Sequence, residues 1–213
     1  MKKTIITALI AAICVAPAFA AGQSISAKSI GIGYEYTTLN IEGNADWTMN
    51  SAVIRGSYDF YKFDNGITVS MTGAAYYGVG TISYEGEVED TDTTRMGGKI
   101  GLMFNYQATE RVTIFAGPTV GYNVFSYDTT DQFKKVFDKE YGDDTGVTYG
   151  VTAGIRYTLS NQKTSIEAGV SFESAALSGA DDEFKAPDGS VYKKWDKSSI
   201  GSTSFFAGIN HAF

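Results

Sequence analysis

Residues 147–157 read VTYGVTAGIRY. Val147, Tyr149, Val151, Ala153, Ile155 and Tyr157 take every second position, and Thr148, Gly150, Thr152, Gly154 and Arg156 take the others. Successive side chains of an extended chain point to opposite sides, so this alternation marks a β-strand with one apolar and one polar face. The polar face is glycine and hydroxyl with a single charge. That makes a poor surface for water but a good lining for a confined space.

The pattern recurs along the chain. Apolar Ile30, Ile32, Tyr34 and Tyr36 oppose Gly31, Gly33, Glu35 and Thr37. Ala52, Ile54, Tyr58 and Phe60 oppose Ser51, Arg55, Ser57 and Asp59. The same alternation continues with Ile67, Val69, Met71, Ala75, Tyr77 and Val79, then Ile100, Leu102, Phe104 and Tyr106, then Val112, Ile114, Ala116, Val120, Tyr122 and Val124. After residues 147–157 come Ile166, Ala168, Val170 and Phe172, and finally Phe205, Ala207, Ile209 and Phe213. Eight such segments predict an all-β chain. Pro118 falls inside the fifth segment and removes a ladder donor, so a bulge or a locally wet site is expected there.

The connections alternate in length. Residues 40–48, 85–94, 128–145 and 175–198 are long and polar, whereas 61–66, 107–110 and 160–163 are short turns. Within 131–140 a helical turn is the one helical feature anticipated. Short turns on one side and long loops on the other describe an outer-membrane barrel. A soluble barrel also alternates, with its apolar face inward. The hydroxyl- and glycine-rich polar face, the aromatics near strand ends and a final strand running to Phe213 decide for the membrane. Closure follows from the cost of unpaired peptide groups in lipid, several kcal/mol each. The predicted fold is an eight-stranded antiparallel transmembrane β-barrel, with short periplasmic turns and long extracellular loops.

The ends of the chain support export. Met1-Lys2-Lys3 is basic, residues 4–15 are apolar and uncharged, and Ala18-Phe19-Ala20 offers a small-residue cleavage site. Residues 1–20 read as a cleaved signal peptide and 21–213 as one barrel domain. The single cysteine, Cys14, goes with the signal. Losing Lys2 and Lys3 leaves 15 basic against 24 acidic residues. Such a balance excludes nucleic acid as a partner, because phosphate neutralisation needs clustered cations.

Three stretches carry a resemblance. Residues 112–125, VTIFAGPTVGYNVF, together with 153–157, AGIRY, and the ending AGINHAF resemble the OmpX/Ail/Lom family of enterobacterial outer-membrane proteins. The last strand is similar to the signal read by the barrel-assembly machinery, with Gly208 and terminal Phe213 in place and His211 where the pattern has an aromatic. The resemblance implies outer-membrane lipid and lipopolysaccharide as surroundings. It also implies a surface protein of adhesion, invasion or serum-resistance type, with host matrix or complement proteins as candidate partners.

Glu35, Arg55, Asp59, Lys99, Arg156, Glu167 and Glu173 all fall on the polar face. Buried charges persist only when paired, so a structural charge network filling the lumen is the expectation, and a proton or ion path the rival. The loops combine cations and aromatics: Phe133, Lys134, Lys135 and Phe137 in the third, Phe184, Tyr192, Lys193, Lys194 and Trp195 in the fourth. They read either as a hydrated rim or as a contact surface for a protein. Extended third and fifth strands could also offer an edge for strand addition.

Chemistry finds little support. The one histidine, His211, has Ser204 as the only nearby serine of its strand, seven residues and roughly 23 Å away. Asp143/Asp144 and Asp181/Asp182 sit in loops as solvated acids. No His/Cys cluster suggests a metal and no phosphate-binding loop exists, so neither cofactor nor metal is expected. A general structural or stress-response barrel without a ligand, and a lipid-modifying barrel enzyme, stand as the alternatives to loop binding.

Overall fold

The structure, a computed structural model, describes residues 22–40, 45–84, 91–127, 144–177, 181–185, 191–196 and 200–213. Its strands are β1 (Gly22–Asn40), β2 (Ala45–Phe63), β3 (Ile67–Tyr84), β4 (Thr91–Gln107), β5 (Val112–Tyr127), β6 (Asp144–Thr158), β7 (Thr164–Leu177), β8 (Asp181–Lys185), β9 (Val191–Asp196) and β10 (Ile200–Ala212). Eight of them, β1–β7 and β10, form a closed antiparallel barrel in which β10 returns to pair with β1. The seam is continuous from Asn40↔Gly201 to Ser29↔Ala212. The fold class is therefore the one the alternation predicts.

The faces fall as the period dictates. Ile32 (70% exposed), Ile100 and Ile155 stand on the outer wall, with Tyr34, Tyr77, Tyr122 and Phe172 among the other large exposed apolar groups. Glu35, Thr37, Ser51, Ser171 and Ser204 are buried inside. An outer surface this apolar, on a chain whose inside is polar, inverts the arrangement of a soluble barrel and demands hydrocarbon around it.

Three short turns close one end. The Gly66 amide donates to Phe63 O at 3.0 Å, with Gly66 at φ +86°, where only glycine is unstrained. Asn65 Oδ1 accepts from Ile67 N in the same turn. In the third turn Asn161 Oδ1 accepts from the amides of Lys163 and Thr164.

Three sequence expectations need correction. The connection 175–198 is not all loop: β7 continues to Leu177, and β8 and β9 pair as a two-stranded sheet of their own. Pro118 makes no bulge. Pairing between β4 and β5 lapses between Gly101↔Thr119 and Phe104↔Ala116, yet the register is identical on both sides. Pro118 itself stays paired across from Val151 on β6, so the missing N–H is lost on one side only. The bulges lie elsewhere, at Phe60 between the pairs Asp59↔Ser70 and Tyr61↔Val69, and in β1 between Ser24 and Ala27. Lastly, β3 and β5 offer no free edge among the described residues. β3 is paired from Ala45↔Tyr84 on one side and Ile82↔Thr91 on the other, and β5 from Thr93↔Tyr127 and Phe125↔Asp144. The helical turn anticipated within 131–140 lies outside the described residues.

Replacing Ile32 by arginine puts a charge midway along the outer face of β1. Urea unfolding of the barrel in lipid vesicles should show a loss of about 2–4 kcal/mol. The same change at Glu110, in an exposed turn, should stay within about 0.5 kcal/mol.

Candidate functional site

The lumen is built in layers, each following from which residues occupy the inward positions. At the long-connection end, Leu39, Trp47, Met49, Ile82, Phe125, Ala175 and Ile200 form one buried apolar cluster. Trp47 and Phe125 meet edge-on at 5.0 Å between centroids. The indole N–H, which would be costly to leave unpaired, donates to Thr93 Oγ1 and to Met49 Sδ. Sequence reasoning placed only glycine, hydroxyls and ions inside, and this apolar layer corrects it.

Below that cluster lies an ion-paired layer. Glu35 on β1 is wholly buried and faces three cations: Lys99 Nζ at 3.2 Å, Arg55 Nη2 at 3.5 Å and Arg95 Nη1 at 3.5 Å. Glu173 on β7 meets Lys99 at 2.9 Å and Arg95 at 3.9 Å. Arg95 also donates to Asn123 Oδ1 and Thr37 Oγ1 and lies over the Tyr76 ring at 4.3 Å, while Tyr76 donates to Asn123. Six strands, β1 to β5 and β7, supply the members, and these bind from strand to strand rather than along any one of them.

Next toward the short turns, Glu167 bridges Arg55 at 3.1 Å and Arg156 at 3.2 Å. Arg55 rests on Phe206 at 3.9 Å from the ring centroid and Arg156 lies over Phe115 at 5.5 Å. Here the glycines have a spatial reason. A Cβ on Gly169 would fall 2.5 Å from Phe206 Cζ, and one on Gly154 would fall 2.6 Å from Phe115 Cζ. Large rings fit a narrow barrel only against bare backbone.

Six of the seven sequence-predicted lumen charges are thus brought together: Glu35, Arg55, Lys99, Arg156, Glu167 and Glu173. Asp59 is not among them. It accepts a hydrogen bond from Ser70, which in turn accepts from Asn105. Sequence reasoning missed Arg95, Tyr76, Phe115 and Phe206. Extending the period back from Lys99 and Gly97 would have found Arg95. The three aromatics occupy inward positions, but a polar-inside rule assigns no aromatic there.

The remaining sequence candidates are scattered. Gly208 packs at the β1–β10 seam, where a Cβ would come 2.8 Å from Ile32 O. His211 is exposed, and its Nδ1 lies 3.3 Å from Thr164 Oγ1. The Phe213 amide donates to Lys28 O at 3.0 Å, extending the seam to the last residue. Of the loop residues, Phe184 stands opposite Lys193, Glu183 opposite Lys194 and Asp182 opposite Trp195 in the β8–β9 register, with Tyr192 at its irregularity. Phe133, Lys134, Lys135 and Phe137 lie outside the described residues. Among the described residues no group of three or more His, Cys, Asp or Glu side chains could hold a metal ion.

Comparison with known proteins gives one family and several folds. A family model for the outer membrane protein beta-barrel domain matches residues 5–201. No curated protein matches the sequence. Among solved structures, the chain is similar to Ail, the attachment invasion locus protein of Yersinia pestis, in complex with the heparin analogue sucrose octasulfate. The TM-score is 0.53 at 14% identity, over 88% of this chain and 99% of that one. Neisserial surface protein A gives the same TM-score, 0.53, at 14% identity over 88% and 99%. OprG from Pseudomonas aeruginosa gives 0.51 at 14% identity over 90% and 98%. Identities this low carry the fold alone.

Glu35→Gln strips the shared partner from three buried cations. It should cost about 3–5 kcal/mol, the range for breaking a buried pair from one side. Asp59→Asn, outside the ion-paired layer, should cost about 1 kcal/mol. Urea unfolding of both variants in lipid vesicles separates the two.

Proposed function

This chain belongs to the family of outer membrane protein beta-barrel domains, and from that premise we propose that it is a surface protein binding an extracellular partner through its long connections. The observation that supports the reading is the filled lumen. The apolar cluster and the ion-paired layer occupy the barrel's cross-section, so the interior serves as packing rather than as a conduit. What remains free to recognise anything is the long-connection end.

The fourth connection is the strongest part of that end. Its residues 191–196, VYKKWD, set Lys193 and Lys194 between Tyr192 and Trp195, and they belong to a paired strand rather than a loose loop. Tyrosine and tryptophan are residue types that dominate binding energy at interfaces, and a paired strand has less ordering entropy to lose than a loop. Lysines of this kind suit sulfated or carboxylated polymers of a host matrix. A heparin analogue is what the Ail structure holds, and a related anionic chemistry is the partner we propose here. Adhesion, invasion or serum resistance is the corresponding biological role.

Three further parts belong to the proposal. Residues 1–20 act as a signal peptide and are removed. The segment ending in Gly208, His211 and Phe213 is read by the barrel-assembly machinery. The lumen charges hold the barrel's interior together.

The test is to move the third and fourth connections onto an inert eight-stranded barrel and measure binding of heparin and matrix proteins to cells displaying it. Binding should transfer, and Trp195→Ala should weaken it roughly tenfold, the effect of truncating a hot-spot aromatic. Absence of binding by the intact protein would leave the structural barrel without a ligand as the better reading. Lipid A mass spectra of expressing cells should be unchanged; any new species would point to an enzyme instead.

A further inference from the structure

The lumen charges do not balance locally. In the layer nearer the long connections, Arg95 and Lys99 face Glu35 and Glu173, two against two. In the layer nearer the short turns, Arg55 and Arg156 share Glu167 alone. Arg55 reaches Glu35 as well, but only at 3.5 Å and in competition with two other cations. Across the connected network four cations, Arg55, Arg95, Lys99 and Arg156, face three carboxylates, Glu35, Glu167 and Glu173, so one positive charge has no counter-charge of its own. Asp59 stands four residues further along β2, roughly 13 Å away by strand rise, and its carboxylate is engaged by Ser70.

That lower layer borders a cavity of about 60 Å³, lined among others by Arg55, Arg156, Glu167, Thr119, Phe206 and Asn210. The volume admits a few water molecules or one small anion. Two nearly buried polar atoms on its lining have no hydrogen-bond partner, Asn210 Nδ2 and Thr119 Oγ1. Gly31 leaves the room the Asn210 amide occupies, since a Cβ there would lie 2.0 Å from its Oδ1. An orphaned amide donor, an unpartnered hydroxyl and a surplus guanidinium charge converge on one small space. Each of these groups can donate a hydrogen bond or carries positive charge.

We propose that this cavity is a binding site for a small monovalent anion of halide or formate size, held by Arg55, Arg156 and the Asn210 amide. The anion supplies the missing counter-charge and accepts from the orphaned N–H. The apolar cluster seals the lumen toward the long connections, so the ion enters from the short-turn end. A dianion is disfavoured, because it would overcompensate a single surplus charge beside the Glu167 carboxylate.

The probe is bromide. Crystals of the full-length folded barrel grown in bromide are examined by anomalous diffraction, and chloride-35 relaxation is measured on the same protein in micelles. A bromide peak is expected within about 3.5 Å of guanidinium nitrogens of Arg55 and Arg156 and of Asn210 Nδ2. In micelles, chloride relaxation should be enhanced and bromide should compete the enhancement away. Asn210→Asp, nearly isosteric with the native side chain, sets a carboxylate on the same cavity lining, and should abolish the peak and weaken chloride binding by roughly tenfold or more while the urea unfolding midpoint stays close to that of the parent. Three results would overturn the proposal: water alone in the cavity with no anomalous signal, a peak unaltered in the aspartate variant, or bromide in the crystal with no chloride effect in solution.

Discussion

Peptide groups carried into hydrocarbon find no water, and each one left unpaired costs several kcal/mol. The barrel answers with a ladder that has no open edge, down to the last residue, whose amide still reaches Lys28. Closure of eight strands then sets the diameter, and the diameter sets the interior: just enough room for side chains. Inward glycines follow where a ring must lie against backbone, as Phe206 does on Gly169. Charges placed deep inside pair with charges on other strands, as Glu35 does with Arg55, Arg95 and Lys99, because burial strips them of water. The one lapse in the wall, at Pro118, keeps its register on both sides and its pairing with β6. The rule is therefore relaxed for two residue pairs without opening the wall.

The layered lumen has a consequence for what the protein can do. Apolar groups at the long-connection end, ions in the middle and rings beneath them tie all eight strands together through side chains as well as through backbone. Glu35 alone touches side chains from two other strands, β2 and β4. A wall braced in this way is a rigid mount. Recognition placed on its connections loses little ordering entropy in the scaffold, and sequence can vary there without disturbing the part that must survive in lipid.

Much of this is legible in one dimension. Strand positions, the inward set Glu35, Arg55, Lys99, Arg156, Glu167 and Glu173, and the direction of Ile32 and Ile155 all follow from a period of two, because a one-residue slip would turn every side chain to the wrong face. Alternation fails where both faces are apolar. Leu39, Trp47, Met49 and Phe125 are inward yet read like membrane-facing residues, and Tyr76 and Phe206 sit beside outward Tyr77 and Phe205 with nothing in the string to separate them. Asp59 shows the converse limit. It shares a face with Arg55, but whether two charges meet depends on the register of neighbouring strands, which a single strand's pattern does not contain. The hairpin of β8 and β9 was hidden by composition, since its residues are as polar as any loop.

The barrel holds together in a membrane only if its outward residues, and not its inward ones, touch acyl chains. Intermolecular NOEs from lipid acyl protons to protein methyl groups, recorded on the folded barrel in a bilayer mimetic, read this without altering a residue. Contacts are predicted at Ile32, Ile100, Val151 and Ile155, and none at Leu39, Val53, Thr37, Thr119 or Thr152. The reverse pattern, or lipid contact at both sets, would contradict this arrangement.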